Sequence, residues 1–334
     1  MSAAGTDAAR AALAPLLPFL APIEHLLLDP EVTEIMVNAA DDVWAERTGR
    51  LERAEAPGWT DRELERALVQ IARSLDADIS AAEPELDARL PDGSRVAAML
   101  PPVAESPTLT IRKHAAKAFT AGQLVESGSL PAEVLELARA VLAGHGNILV
   151  AGSTGSGKTT LLRALLHDLE PGERYLVIED TAEINLQQPH AVRFEARKAA
   201  PGRPAVTIRD LVRASLRHRP DRLVVGEVRG PEAWDLIQAL NTGHGGAIST
   251  IHANSARDAL MRLATCALMQ EGGSGMPWPA LAAMIGAVTD LVIHVVRWQG
   301  VRMVGEALRV RGYDPGAGDW QTEPAWPPPE RGAA

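Results

Sequence analysis

Between residues 152 and 160 the chain reads Gly152-Ser153-Thr154-Gly155-Ser156-Gly157-Lys158-Thr159-Thr160, which matches the pattern GxxxxGK[ST] in full. Glycines at these positions let the backbone turn so tightly that successive N–H groups point inward at phosphate oxygens, and the positive end of a following helix adds to the attraction. Lys158 is then placed to reach the β- and γ-phosphates of a nucleoside triphosphate, and the Thr159 hydroxyl to ligate Mg²⁺. The flanking segments suit this reading, because "NILVA" before the loop has the pattern of a strand and "TTLLRALLHDL" after it that of a helix.

Binding phosphate is not hydrolysing it. Hydrolysis also needs a carboxylate to organise the Mg²⁺ shell and one to orient or deprotonate water. "RLVVGEVRG" delivers Glu227 at the C-terminal end of an apolar strand, the edge at which open α/β sheets bind ligands. "YLVIEDTAEI" delivers Glu179 and Asp180 in the same way, with Glu183 a turn further on; a carboxylate that ends an apolar strand is costly unless it sits at a site. "NTGHGGAISTIHAN" places His244 in a glycine-rich loop before a strand and His252 directly after it. Either histidine could report the γ-phosphate through a hydrogen bond, with a cap or core role as the alternative for His244. The other histidines have no metal-ligand spacing, so no zinc site is expected.

Two regions must position these residues. The first ~110 residues mix short alternating segments with acidic helical ones, an α+β pattern. "EIMVNAADDVWAER" reads as strand, turn, strand; "RLPDGSRVAAMLPPV" has a Pro-Asp-Gly turn between apolar pieces; "TLTIRK" is one more strand. "TDRELERALVQIARSL" starts at Thr60 as N-cap and carries Leu64, Leu68, Ile71 and Leu75 at helical spacing. From residue 131 the runs "NILVAG", "YLVIED", "RLVVGEV", "GAISTI" and "DLVIHVV" alternate with helical stretches, as in a parallel sheet covered on both faces. The expected organisation is an α+β domain over 1–113, a linker over 114–130, an α/β domain over 131–312 and a Pro/Gly-rich tail over 313–334, disordered towards its end.

The charge is uneven. Of a formal net charge of -10, residues 1–114 carry 20 acidic against 11 basic side chains, and the remainder is close to neutral. That balance gives no broad basic footprint, so direct stable binding to nucleic acid is not expected, and 7 Trp, 2 Tyr and 3 Phe offer few stacking platforms. Cys266 stands alone, which excludes an intramolecular disulfide framework and suits a reducing compartment. The most apolar early stretch, "AALAPLLPFLAPI", is interrupted by three prolines and falls short of the ~20 residues a spanning helix needs. It is expected to be an amphipathic or irregular lead-in.

Taken in order, "GSTGSGKTT", "IEDTAEI" and "LRHRPDRLVVGEVRGPEAWDLIQALNTGHGGAISTIHANSARDAL" resemble the hexameric secretion ATPases of type II and type IV secretion systems, nearest the conjugal-transfer TrbB branch. The resemblance spans roughly residues 30 to 310. It implies a RecA-like P-loop domain preceded by a smaller PAS-like α+β domain, with ATP between them and six protomers in a ring. It makes the Glu179 block the acidic box, the Glu227 block Walker B and the His244 to His252 block the His box. In Walker B, Gly226 stands where P-loop enzymes usually carry aspartate, so Glu227 alone is left to organise Mg²⁺, and Glu179 is assigned to polarise water, with the reverse as second choice. Arg95 in "DGSRV" and Arg112 in "TIRK" match positions from which the first domain of similar proteins reaches the triphosphate; Arg217, Arg219 and Arg229 could instead serve a subunit interface. The implied role is a cytoplasmic ATPase, or one peripheral at the inner face of the inner membrane, whose ATP-driven domain motions power a conjugal type IV machine through inner-membrane partners. A pilus, tight-adherence or type II assembly ATPase is the neighbouring alternative; a single-strand nucleic-acid motor and a non-hydrolysing scaffold are the more distant ones.

Overall fold

A computed structural model describes residues 3–326, apart from 48, 56–57, 114–118, 170, 185, 187, 198, 200–202 and 270–274. Internal contacts divide the chain into two units, Met1–Lys117 and Ala118–Ala334. The opening residues of the expected linker and positions 327–334 of the expected tail lie outside the described residues.

In the first unit, helix α1 (Ala3–Leu13) and the short α2 (Glu24–Leu28) precede strands β1 (Val32–Ala39), β2 (Asp42–Arg47) and β3 (Arg50–Arg53). Helix α3 (Asp61–Ser74) follows, then β4 (Glu85–Arg89), β5 (Arg95–Met99) and β6 (Thr108–Arg112). The strands form one sheet in the order β3-β2-β1-β6-β5-β4, antiparallel throughout. Thr60 and Glu63 close a capping box at the start of α3, satisfying two N–H groups that a helix end leaves unpaired. Leu64, Ala67, Leu68, Ile71 and Ala72 then fall on one buried stripe. The apolar lead-in is core, because Leu13, Leu16, Leu20 and Ile23 are all buried with that stripe.

The second unit opens with α4 (Ala121–Glu126) and α5 (Ala132–Ala143). Residues 121–130 are therefore not linker. Thr120 and Gln123 form another capping box, and Ala121 and Leu130 are buried with residues of α5. Next come β7 (Ile148–Gly152), α6 (Lys158–His167), β8 (Tyr175–Glu179), β9 (Ala191–Glu195), α7 (Ile208–Ser215), β10 (Arg222–Val228), α8 (Glu232–Asn241) and β11 (Ile248–Ile251). The unit ends with α9 (Ala256–Leu268), α10 (Trp278–Val288), β12 (Leu291–Trp298), β13 (Val301–Asp314) and β14 (Asp319–Trp326). The sheet order is β14-β13-β12-β7-β11-β10-β8-β9, parallel from β12 to β9 and antiparallel at β13 and β14.

Alternation explains the two layers. In β7, Leu149 and Ala151 join the core under α7 to α10, whereas Ile148 and Val150 join the core under α5 and α6. Both faces are covered, which is why the parallel strands look uniformly apolar in sequence.

The expectation of a tail from residue 313 is corrected for 313–326. That segment completes β13, turns at Asp314 and returns as β14, with Trp320 buried edge-to-face against Trp278 and Tyr313 at centroid distances of 5.8 and 6.2 Å. Its prolines and glycines suggested disorder, but Gly316 and Gly318 serve a tight turn held by Asp314, whose Oδ1 accepts from Gly316 N at 2.8 Å.

Candidate active site

The loop after β7 is shaped for close backbone approach. A Cβ at Gly152 would run into the carbonyl of Val295 on β12 and lie 2.5 Å from Ser156 Oγ. Gly155 and Gly157 take left-handed φ values of 71° and 104°, conformations that side-chain-bearing residues rarely adopt. Helix α6 begins at Lys158, so its N-terminus faces the loop, with Thr159 and Thr160 in the first turn. Ser156 Oγ is buried and has no hydrogen-bond partner among the described residues. A buried orphan hydroxyl beside glycines whose side chains would fill the cradle fits a phosphate group.

Lys158 is only 7% exposed, and its Nζ donates to the carbonyls of Gly152 at 3.1 Å and Ser153 at 3.0 Å. The same ammonium lies 3.4 Å from His252 Nδ1, at the C-terminal end of β11. The other ring nitrogen, Nε2, lies 2.5 Å from Glu227 Oε1 on β10. Glu227 Oε2 in turn accepts from Arg229, Nε at 2.9 Å and Nη2 at 2.5 Å, and Arg229 Nη1 stands 3.5 Å from Asp180 Oδ2. Three elements, α6 and the ends of β10 and β11, thus bring lysine, histidine, glutamate and arginine into one line along the sheet edge.

Burial lowers the pKa of His252, against the pull of Glu227 and with the repulsion of Lys158, Arg229 and Arg262. The ring is then neutral at pH 7; Nδ1 accepts from Lys158, and Nε2 faces the Glu227 carboxylate, whose Oε1 makes no hydrogen bond among the described residues.

Glu179 occupies the next station. It is 4% exposed, and its Oε1 accepts the N–H groups of Glu183 and Ile184, both at 2.9 Å. Burial pushes its pKa up to about 7; the two N–H bonds oppose the rise, and the charges of Glu183 and Glu195 assist it. A Cβ at Gly226 would lie 3.0 Å from Glu179 Cγ. The glycine in place of the usual aspartate lets the glutamate of the neighbouring strand pack tightly over that position.

Not every expected residue gathers here. His244 lies beyond the opposite end of β11 from His252, with Nδ1 3.2 Å from the carbonyl of Ala239 at the end of α8. It closes a helix C-terminus, and the suggestion that it reports the γ-phosphate is withdrawn. Arg95 and Arg112 are direct cross-strand partners in the first unit, and Asp87 holds Arg95 with two hydrogen bonds of 3.0 Å. Two residues escaped the sequence reading. Arg163 of α6 has a buried Nε without a hydrogen-bond partner and faces the charges of Glu183 and Glu179. Arg302 of β13 donates from Nε to the carbonyl of Gly155 at 2.9 Å. Only the "WQGV" turn, which sets the β12–β13 hairpin, gave a signal for the latter.

A phosphate loop at the C-terminal edge of a parallel sheet, with a buried lysine and strand-end carboxylates, defines a P-loop nucleotide-binding protein. The chain belongs to the type II/IV secretion system protein family, whose model matches residues 19–302. It is 36% identical over 300 residues to the type IV secretion system protein PtlH of Bordetella pertussis, covering 81% of this chain and 87% of that one. To the probable conjugal transfer protein TrbB of Sinorhizobium fredii it is 33% identical over 289 residues, 85% of each chain. Among solved structures, the Legionella pneumophila ATPase DotB matches in fold, with 22% identity, a TM-score of 0.61, and coverage of 89% of this chain and 80% of that one.

Proposed function

We propose that this chain is the ATPase that powers a type IV secretion machine of the conjugal-transfer kind. The observation that carries the proposal is the line Lys158, His252, Glu227 beside a phosphate cradle and a buried Glu179. Family membership and the names of the relatives support the choice of machine. In this reading the second unit is a RecA-like domain and the first a PAS-like one.

Gly152 to Thr160 bind the phosphates of ATP, with Lys158 exchanging loop carbonyls for phosphate oxygens. Thr159 and Glu227 would hold Mg²⁺, which when bound neutralises charge on the phosphates. Glu179, with its pKa near the operating pH, takes the proton of the attacking water. His252 stands between Lys158 and Glu227, so a change at the phosphates that moves Lys158 is felt at the carboxylate. Arg112 supplies guanidinium charge from the first unit, whereas Arg95, expected beside it, is engaged by Asp87. A homohexameric ring completes the site, and inner-membrane components of the apparatus receive the motion. No helix among the described residues is long and apolar enough to cross a membrane. In this reading the protein is cytoplasmic and is recruited to the inner membrane by its partners.

The test is Mg²⁺-dependent ATP hydrolysis per protomer across a range of protein concentrations, beside Lys158→Ala. We expect turnover that climbs as rings assemble and falls by at least about 100-fold in the variant. A flat rate down to monomer concentrations would remove the ring, and an unchanged rate in Lys158→Ala would remove the site.

A further inference from the structure

We infer that Arg302 is a positioning residue that pins the phosphate loop in its binding shape before nucleotide arrives. The inference rests on the proposal that the loop binds ATP. Its starting point is a contact between distant parts of the chain: Arg302 Nε donates to Gly155 O at 2.9 Å across 147 residues of sequence. The arginine stem also runs along the loop, with Cδ 3.5 Å and Cβ 3.8 Å from where a Cβ on Gly157 would stand. Both glycines are in left-handed conformations, so the stem approaches bare backbone.

A short turn delivers the residue. Between β12 and β13, Gln299 and Gly300 have φ values of 47° and 84°, the two-residue hairpin geometry that matches strand twist. It sets Trp298 opposite Val301 and Arg297 opposite Arg302. Two residues on, Val304 shares a face with Arg302 and is buried with Leu161 and Leu165 of α6, so Arg302 points to the side on which α6 and its loop lie. A register slip of one residue would turn it to the other face.

The physical role follows from glycine. The loop contains three glycines within six residues, and glycine loses more conformational freedom on ordering than any other residue. Only one backbone bond inside the loop tightens it, Ser156 N to Ser153 O at 3.3 Å. A guanidinium that fixes the Gly155 carbonyl from outside reduces the ordering that binding must accomplish, and adds positive potential beside the cradle.

The experiment compares full-length wild type, Arg302→Ala and Arg302→Lys. Hydrogen exchange of the amides of residues 153–157 without nucleotide is one readout; titration with the Mg²⁺ complex of AMPPNP and with inorganic tripolyphosphate is the other. For Arg302→Ala we expect faster loop exchange and a Kd raised about 10-fold for both ligands, the loss of one charged hydrogen bond. KM should rise with kcat kept, and lysine, which can also donate, should recover part of the loss. Unchanged exchange with unchanged Kd overturns the inference, as does a fall in kcat at constant KM. If wild type bound no nucleotide the ATPase proposal would fail, and loop exchange would still decide the role of Arg302.

Discussion

Glu179 shows how one side chain can be placed for chemistry at the expense of stability. Its carboxyl is buried between β10 and the backbone of residues 183 and 184, and its pKa rises from 4.5 to about 7 because burial outweighs two N–H bonds. Between those pH values the folded chain keeps a proton that the unfolded chain releases. The associated stabilisation is full below about pH 4.5 and is lost as pH climbs through 7. If Glu179 is the base proposed above, activity runs the opposite way, since a base must be ionised. We expect kcat to rise with pH to a plateau above about 7, and Glu179→Gln to abolish that limb with a fall of about 10²–10⁴ in kcat. The same variant should melt no lower than wild type at pH 8, because the amide oxygen still accepts both N–H bonds. A kcat profile with no inflection near pH 7 would remove Glu179 as the base. The sequence led to the residue through "VIED", yet its burial depends on β10 lying beside β8, which no local pattern records.

Elements position the site through strand ends. β7, β8, β10 and β11 all finish at the same edge, so the phosphate loop, Glu179, Glu227 and His252 converge although 100 residues separate the first from the last. The C-terminal hairpin has a less visible part. β13 runs from the turn at Gln299 and Gly300, past the phosphate loop, to the aromatic cluster under α10, where Trp320 Nε1 donates to the carbonyl of Ala282 at 2.9 Å. We expect Trp320→Ala to destabilise the second unit by about 3–5 kcal/mol, measured by urea unfolding, because it leaves a cavity among Trp278, Tyr313 and α10. A loss below about 1 kcal/mol would return residues 319–326 to the status of a dispensable tail.

At the scale of the molecule, the chain divides into an acidic unit and a near-neutral one. The two arginines expected to act from the first unit have different surroundings. Asp87 holds Arg95 within the sheet, whereas Arg112, directly opposite on β6, is exposed. Arg112→Ala should therefore lower kcat by about 10³-fold or more while nucleotide binding persists, as loss of an arginine finger does. Arg95→Ala should act mainly on the stability of β4 and β5. Equal kcat in wild type and Arg112→Ala, at concentrations where rings form, would take Arg112 out of the reaction.

The sequence by itself determined the phosphate loop, the strand-end carboxylates and the two-part architecture, because glycine, lysine and period-two apolar patterns act over a few residues. The boundaries it suggested at 114–130 and 313–334 were set by composition, and there packing prevailed: Ala121, Leu130 and Trp320 are buried by partners far away in the chain. Only the tertiary structure decided which histidine faces Lys158, that residue 226 lies tight against Glu179, and that Arg302 reaches Gly155. Each of these depends on strand order and register in the second unit's sheet, where neighbours in space are strangers in sequence.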